Sequence, residues 1–169
     1  CALPILVALN RPDQANSLSQ DLFIALKDTL ADLDDDDDVR VVIMTGTESR
    51  FFCAGVDLKE RGAMTEDEVW ENRKVAVKPC FEAFRIFTKP IIAAINGVAA
   101  GAGLSVVAFC DRAIAADHAK FTSAYTKLGF TPDGSSTYFM TRLIGTRRAA
   151  ELYMTNRTLD AAEALDWGL

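Results

Sequence analysis

The sequence predicts an α/β fold with parallel crossovers, and three observations carry that expectation. "VVIM" (Val41 to Met44) and "PIIAAI" (Pro90 to Ile95) are continuous apolar runs of strand length, the pattern of strands buried on both faces. The first ends in Thr45-Gly46 and the second is stopped by Asn96-Gly97, both turn signals. Sequence with helical spacing alternates with these runs, as helices that cover a parallel sheet require.

The elements follow in order. "CALPILVALN" (Cys1 to Asn10) is an apolar, strand-like run. Leu18, Leu22, Leu26, Leu30 and Leu33 recur at helical spacing and predict an amphipathic helix packed by one face. "DLDDDDDVR" (Asp32 to Arg40) reads as a solvated helix-to-strand connection. Adjacent carboxylates without a glycine turn lack the spacing of a calcium loop. Thr65 and Glu68 form a capping-box pattern at the head of the next helix, which is expected to break or bend at Pro79. A short helix is expected from about Gly101, then a strand at "RAIAAD". "STYFMTRLIGTRRAAELYMT" and "LDAAEALDWG" read as the closing helices.

Composition narrows the classes. At 169 residues the chain is one domain by length, with half its residues hydrophobic and a quarter charged, the profile of a soluble globular protein. A net charge of −6 argues against a nucleic-acid partner, which needs a basic footprint. No apolar run approaches the roughly 20 residues of a membrane helix, and no basic-then-apolar signal segment opens the chain. Cys1, Cys53, Cys80 and Cys110 lie far apart, with no C-x-x-C pair and only His118 as an imidazole ligand. No metal site is expected, and reduced thiols in a cytoplasmic protein are the plainer reading. The apolar start at Cys1 and the stop just after Gly168 suggest a fragment or a short member of a longer family.

Two loops place small residues where backbone must come close to something. One is "SRFFCAGVDLKE" (Ser49 to Glu60), the other "INGVAAGAGLSVVAFCD" (Ile95 to Asp111). The second has almost no side-chain bulk from Ala99 to Gly103 and then opens a helix, whose free N–H groups suit an anion or a developing oxyanion. Close helix–strand packing explains glycine and alanine there equally well. The loop is not a phosphate loop, because no Gly-Lys-Ser/Thr follows, and Gly101 and Gly103 lack the third glycine of a dinucleotide fingerprint.

Taken together, "LNRPDQANSL", "FFCAGVDLKE", "KPIIAAINGVAAGAGLSVVAFCDRAIAADHAKF" and "LGFTPDGSSTYFMTRLIG" resemble the crotonase superfamily, the enoyl-CoA hydratase/isomerases, in order and separation over nearly the whole chain. The resemblance implies a spiral of ββα turns that binds an acyl-CoA thioester, the coenzyme A being part of the substrate and no further cofactor being needed. It implies an oxyanion hole from the N–H groups of Val56 and Ala102, although the family often has Gly at the latter position. Adenine and pantetheine would lie near Ala15, Ala54, Asp57 and Leu58, with Lys59 and Arg61 within reach of CoA phosphates. Family members continue beyond "WGL" with helices that cover the acyl site. A homo-oligomer, trimer or hexamer, is the implied state.

The resemblance also bears on the reaction. Hydratases of the family use two glutamates, and Ser105 and Tyr125 stand at those positions here. Neither is an acid or base near neutral pH without strong perturbation, so ordinary hydration is not expected. Asp133, in "TPDGSS", falls where several isomerases of the family place a single acid-base carboxylate. One carboxylate suffices to move a double bond from C3 to C2. Tyr125, Phe130 and Phe139 would form the acyl pocket. A Pro-Asp-Gly turn or a helix cap near Ser135 would explain Asp133 without function. The 4-chlorobenzoyl-CoA dehalogenases are also similar, but they have a tryptophan at Tyr125 and a histidine at Lys78. A serine hydrolase of Ser105 and His118 lacks a G-x-S-x-G elbow. A non-catalytic acyl-CoA-binding protein is the remaining alternative.

Overall fold

The computed structural model describes residues 4–169, so Cys1 and the start of the predicted run 1–10 lie outside the described residues. Two four-stranded sheets form the frame. The first contains β1 (Ile5–Leu9), β2 (Val42–Gly46), β4 (Ile91–Ile95) and β6 (Arg112–Ala115), in that order and all parallel. The second contains β3 (Phe51–Cys53), β5 (Val98–Ala100), β7 (Lys120–Thr122) and β8 (Thr158–Asp160), with only the last pair antiparallel. The chain thus lays one strand in each sheet per turn (β2 then β3, β4 then β5, β6 then β7), which is the ββα spiral.

The expectation that the strands are buried on both faces needs correction. β2 and β4 alternate buried and half-buried residues, because their second face is only partly covered. β6 is exposed throughout, as the edge of its sheet.

α1 (Gln20–Asp35) begins after Ser19, whose hydroxyl accepts from the Leu22 N–H at 3.2 Å. Leu18, expected within this helix, precedes it and bridges to Val56 instead. Phe23, Leu26 and Leu30 form the buried stripe. The acidic run ends α1 and serves as a dock. Lys89 Nζ donates to the carbonyls of Leu33 and Asp36 at 2.6 and 2.5 Å, and Thr88 donates its N–H to Asp34 at 2.9 Å. A cation at a helix C-terminus is favoured by the helix dipole.

After the short α2 (Leu58–Ala63), the predicted capping box is present at the start of α3 (Glu66–Asn72). Pro79 does not break the helix that follows. A π-helical turn, Arg73–Val77, leads directly into α4 (Lys78–Ile86). Proline lacks an N–H and crowds the carbonyl four residues back, and a widened turn relieves both. Phe81 of α4 then packs on Phe23 and Phe109, at centroid distances of 6.0 and 5.7 Å. α5 (Ala102–Phe109) is buried along most of its length between the second sheet and α6 (Ser136–Leu143). The predicted closing helix is split at Gly145 into α6 and α7 (Gly145–Thr155), and α8 (Ala161–Trp167) ends the chain. No helix among the described residues is long and apolar enough to cross a membrane.

Candidate active site

The two glycine-bearing loops meet. Leu18 donates its N–H to the Gly55 carbonyl at 2.8 Å and accepts from the Asp57 N–H at 3.0 Å. These two bonds straddle Val56 and turn its own N–H to the opposite side. Ala102 is the first residue of α5, where no carbonyl lies one turn back to receive its N–H. Neither N–H finds an acceptor among the described residues. Gly55 closes the gap: a Cβ on it would stand 3.3 Å from the Ala102 nitrogen and 2.9 Å from the Ala100 carbonyl oxygen.

The glycines flanking Ala102 have different reasons. Gly101 takes φ 52°, ψ −123°, a conformation that side chains disfavour, and so aims the start of α5. Gly103 is there for close packing on β3. Functional geometry and helix–strand packing therefore share one loop, one glycine each.

Val56 and Ala102 line a cavity of about 150 Å³ together with Ala54, Asp57, Leu58, Tyr125, Phe130 and Asp133. Eight of the ten residues singled out from sequence thus face one space. Ala15 lies beside it, accepting from the Ala54 N–H at 3.1 Å. Phe139 is the correction. It does not line the cavity but packs on Phe109, centroids 4.4 Å apart, because α6 turns that face toward α5 and the core.

Asp57 is neither loose nor facing water. Its Oδ1 accepts from the N–H groups of Lys59 and Glu60, both at 3.1 Å, capping α2, and its Oδ2 meets Arg11 Nη1 at 2.9 Å. Burial works to raise this carboxyl. The Glu60 N–H, Arg11 and the Lys59 N–H outweigh burial and hold it below its ordinary value of 3.8. A third lining carboxylate, Glu60, accepts from the Gln20 N–H at 2.9 Å.

Asp133 does not cap α6 with its side chain. Its backbone carbonyl takes the Ser136 N–H at 3.0 Å, while Oδ1 accepts the Tyr125 hydroxyl at 2.8 Å. Oδ2 has no partner among the described residues. The turn after it is tight. Gly134 and Ser135 both have positive φ, and a Cβ on Gly134 would meet the Phe81 ring at 2.6 Å. The two positions read from sequence as lost glutamates are adjacent in space, Ser105 Oγ lying 3.2 Å from the Tyr125 hydroxyl. Burial first, then the neighbouring Asp133 carboxylate, push the Tyr125 phenol well above its ordinary value.

The sequence reading missed the far wall. Val69, Asn72, Arg73 and Val77, on α3 and the π turn, close the cavity. Asn72 Oδ1 is buried there without a partner among the described residues. The proline at position 79 is the only signal that could have pointed to this irregular turn. Arg61 lies over the Phe130 ring at 5.2 Å. His118 is exposed, bonded to the Asn96 carbonyl at 3.1 Å, and is not part of the wall, so the Ser105–His118 pairing is not formed. No group of three metal-ligating side chains occurs among the described residues.

A parallel ββα spiral that opens its glycine-rich loops onto one cavity defines a crotonase-fold protein. Over residues 5–169 the sequence matches the family described as enoyl-CoA hydratase/isomerase, and the chain belongs to that family. A crystal structure of an enoyl-CoA hydratase from Bacillus anthracis superposes with a TM-score of 0.93 at 39% identity, covering 98% of this chain and 64% of that one. The 1,2-epoxyphenylacetyl-CoA isomerase of Escherichia coli K12 is 35% identical over 166 residues, 96% of this chain and 63% of its own. A 4-chlorobenzoyl coenzyme A dehalogenase of Arthrobacter sp is 35% identical over 166 residues, 96% of this chain and 60% of its own. The chain thus spans less than two thirds of these relatives' length.

Proposed function

We propose that the chain shifts the double bond of an enoyl-CoA thioester from C3 to C2. The Asp133 carboxylate removes a proton from C2, and the electron pair moves into the thioester to give a dienolate. The N–H groups of Val56 and Ala102 receive the charge on its oxygen. The same carboxyl then returns the proton to C4, the double bond settles between C2 and C3, and Asp133 is a carboxylate again. Coenzyme A enters and leaves as part of the substrate, its adenine and pantetheine against the backbone of Ala15, Ala54, Asp57 and Leu58. The reading extends to a homo-oligomer in the cytoplasm acting in fatty acid metabolism.

The observation that carries this reading is the state of the three carboxylates around the cavity. Asp57 is held by a helix cap and Arg11, and Glu60 by the Gln20 N–H. Asp133 keeps Oδ2 without a partner among the described residues, as Glu60 keeps Oε1. Of the two it is Asp133 that stands where the resemblance places a single acid-base carboxylate, facing the space shared by Val56 and Ala102. Hydration asks for two acid-base groups, and Ser105 and Tyr125 stand where the resemblance expects them. Hydrolysis of an aryl ester on Asp133 asks for a base to activate water. Lys78 is exposed and does not line the cavity, and no imidazole lines it.

The test offers 3-enoyl-CoA, 2-enoyl-CoA and 4-chlorobenzoyl-CoA to the purified chain. Conjugation of the first substrate is expected, lost in Asp133→Asn while acyl-CoA affinity stays within about twofold, because the amide keeps the shape but cannot take a proton. Hydration, chloride release, or binding without any product would replace this reading with one of its rivals.

A further inference from the structure

Tyr125 is expected as pocket wall first and hydrogen-bonding partner second; the geometry gives that second task its content, which rests on the reading of Asp133 as proton shuttle. We propose that Tyr125, itself oriented by Ser105, is a positioning residue that ties down one oxygen of Asp133 and leaves the other as the sole proton carrier.

The direction of the bonds follows from what each group can do. A carboxylate only accepts, so the 2.8 Å contact must be donated by the Tyr125 hydroxyl to Asp133 Oδ1. The phenol oxygen is then left as an acceptor, so a bond with Ser105 Oγ at 3.2 Å has Ser105 as donor; the Gly101 and Asp133 carbonyls, at 3.4 and 3.5 Å, are the longer alternatives for that hydroxyl. Ser105 is fully buried and Tyr125 is 8% exposed, so the contact between them is shielded from water, while Asp133 is half-buried at the cavity wall. The resulting chain runs from Ser105 to Tyr125 to Asp133.

That chain also links the two halves of the site. Ser105 lies one turn along α5 from Ala102, so the helix that presents one unpaired N–H also anchors the hydroxyl that orients the carboxylate. Tyr125 follows Ala124 at φ 59° and precedes a 3-10 turn, Thr126–Leu128, so its ring is delivered by a left-handed residue rather than by regular structure. Asp133 sits on an irregular segment closed by two left-handed residues, with nothing in a helix or strand to hold its side chain. A 1,3 proton shift needs one oxygen to reach both C2 and C4, and a carboxylate free to rotate would spend its time in other orientations. Tyr125 holds its own proton throughout, because burial and the neighbouring carboxylate disfavour the phenolate, and it acts as donor only.

Phenylalanine preserves the wall and removes only the hydroxyl. In Tyr125→Phe, kcat for 3-enoyl-CoA is expected to fall about tenfold, the low end for a hydrogen bond to a charged group, with KM within about twofold. Ser105→Ala is expected to lower kcat about threefold by loosening the second link. Unchanged kcat and KM in Tyr125→Phe, or a change confined to KM, overturns the proposal. A spectroscopic readout separates this from failure of the isomerase reading and also decides the matter if Tyr125→Phe does not fold. The buried Tyr125 hydroxyl proton should give a slowly exchanging downfield NMR resonance in the wild-type chain that moves or vanishes in Asp133→Ala. A chain that turns over no 3-enoyl-CoA yet shows this change refutes only the reaction. A resonance indifferent to Asp133→Ala refutes the positioning role.

Discussion

Gly103 and Cys53 touch through their backbones: a Cβ on Gly103 would stand 2.3 Å from the Cys53 carbonyl oxygen and 2.7 Å from its Cβ. Neither obstacle is the end of a flexible side chain, so α5 or β3 has to move to admit even a methyl group. Gly103→Ala is expected to destabilise the fold by about 2 kcal/mol, within the range for overpacking a close-packed core. Gly62→Ala is the control, because Gly62 is helical with nothing within 4 Å. It should gain about 0.5–1 kcal/mol from helix propensity. Urea midpoints of the two variants should move in opposite directions.

The same pair shows what the sequence could and could not reveal. Small residues from Ala99 to Gly103 announce a close approach, but not which glycine serves packing and which serves the turn. The strands of the first sheet were legible because β1 and β4 are five-residue apolar runs and β2 begins in the apolar run that Thr45-Gly46 ends, while the four-residue edge strand β6 was found from "RAIAAD". Periodicity alone could not give the second sheet. Its strands are three residues long, too short to show a period, and only the family resemblance implied them. Leu18 fits the leucine spacing yet serves as a bridge to Val56, because Ser19 starts the helix one residue later. Phe139 and Phe130 look alike in sequence. Only the direction in which α6 packs sends Phe139 to the core and leaves Phe130 under Arg61. The Tyr125–Asp133 bond spans eight residues of irregular backbone, for which no spacing rule exists.

Asp57 gives a pH prediction. Its carboxyl lies below its ordinary value in the folded chain, so its contribution is fully present above about pH 4 and is lost as pH falls through the lower folded value. Removing Arg11 removes one of the partners that hold it there. Arg11→Ala is expected to lose about 1.5–3 kcal/mol at pH 7, the range for a hydrogen-bonded charge. The gap to the wild type should narrow toward pH 2. Chemical denaturation at pH 7, 4 and 2 checks this; a gap that stays constant would assign Arg11's effect to its contact with Ser17 instead.

The described thiols should be inert in the folded state. Cys53, Cys80 and Cys110 are each pushed up to about 12, in every case chiefly by burial. Attack requires the thiolate, so alkylation at pH 8 should be about a thousandfold slower than for a free cysteine. In urea all three should react at ordinary rates. Peptide mapping after iodoacetamide labelling, with and without urea, measures this for each site separately.

Ala102 allows the oxyanion hole to be tested without removing a side chain that does chemistry. Proline is tolerated at the first position of a helix, where its missing N–H had no intrahelical acceptor in any case. Ala102→Pro should therefore keep α5, seen as an unchanged far-UV circular dichroism spectrum, while deleting the N–H that the proposed dienolate needs. Loss of one oxyanion donor lowers kcat by roughly 10²–10³ in enzymes that depend on it, and the proline ring also enters the space where the oxygen would sit. The expected outcome is a folded chain with isomerase turnover at least a hundredfold below the wild type. If the folded variant retains its rate, the Ala102 N–H does not receive the charge, and the donor opposite Val56 has to be sought elsewhere on the cavity wall.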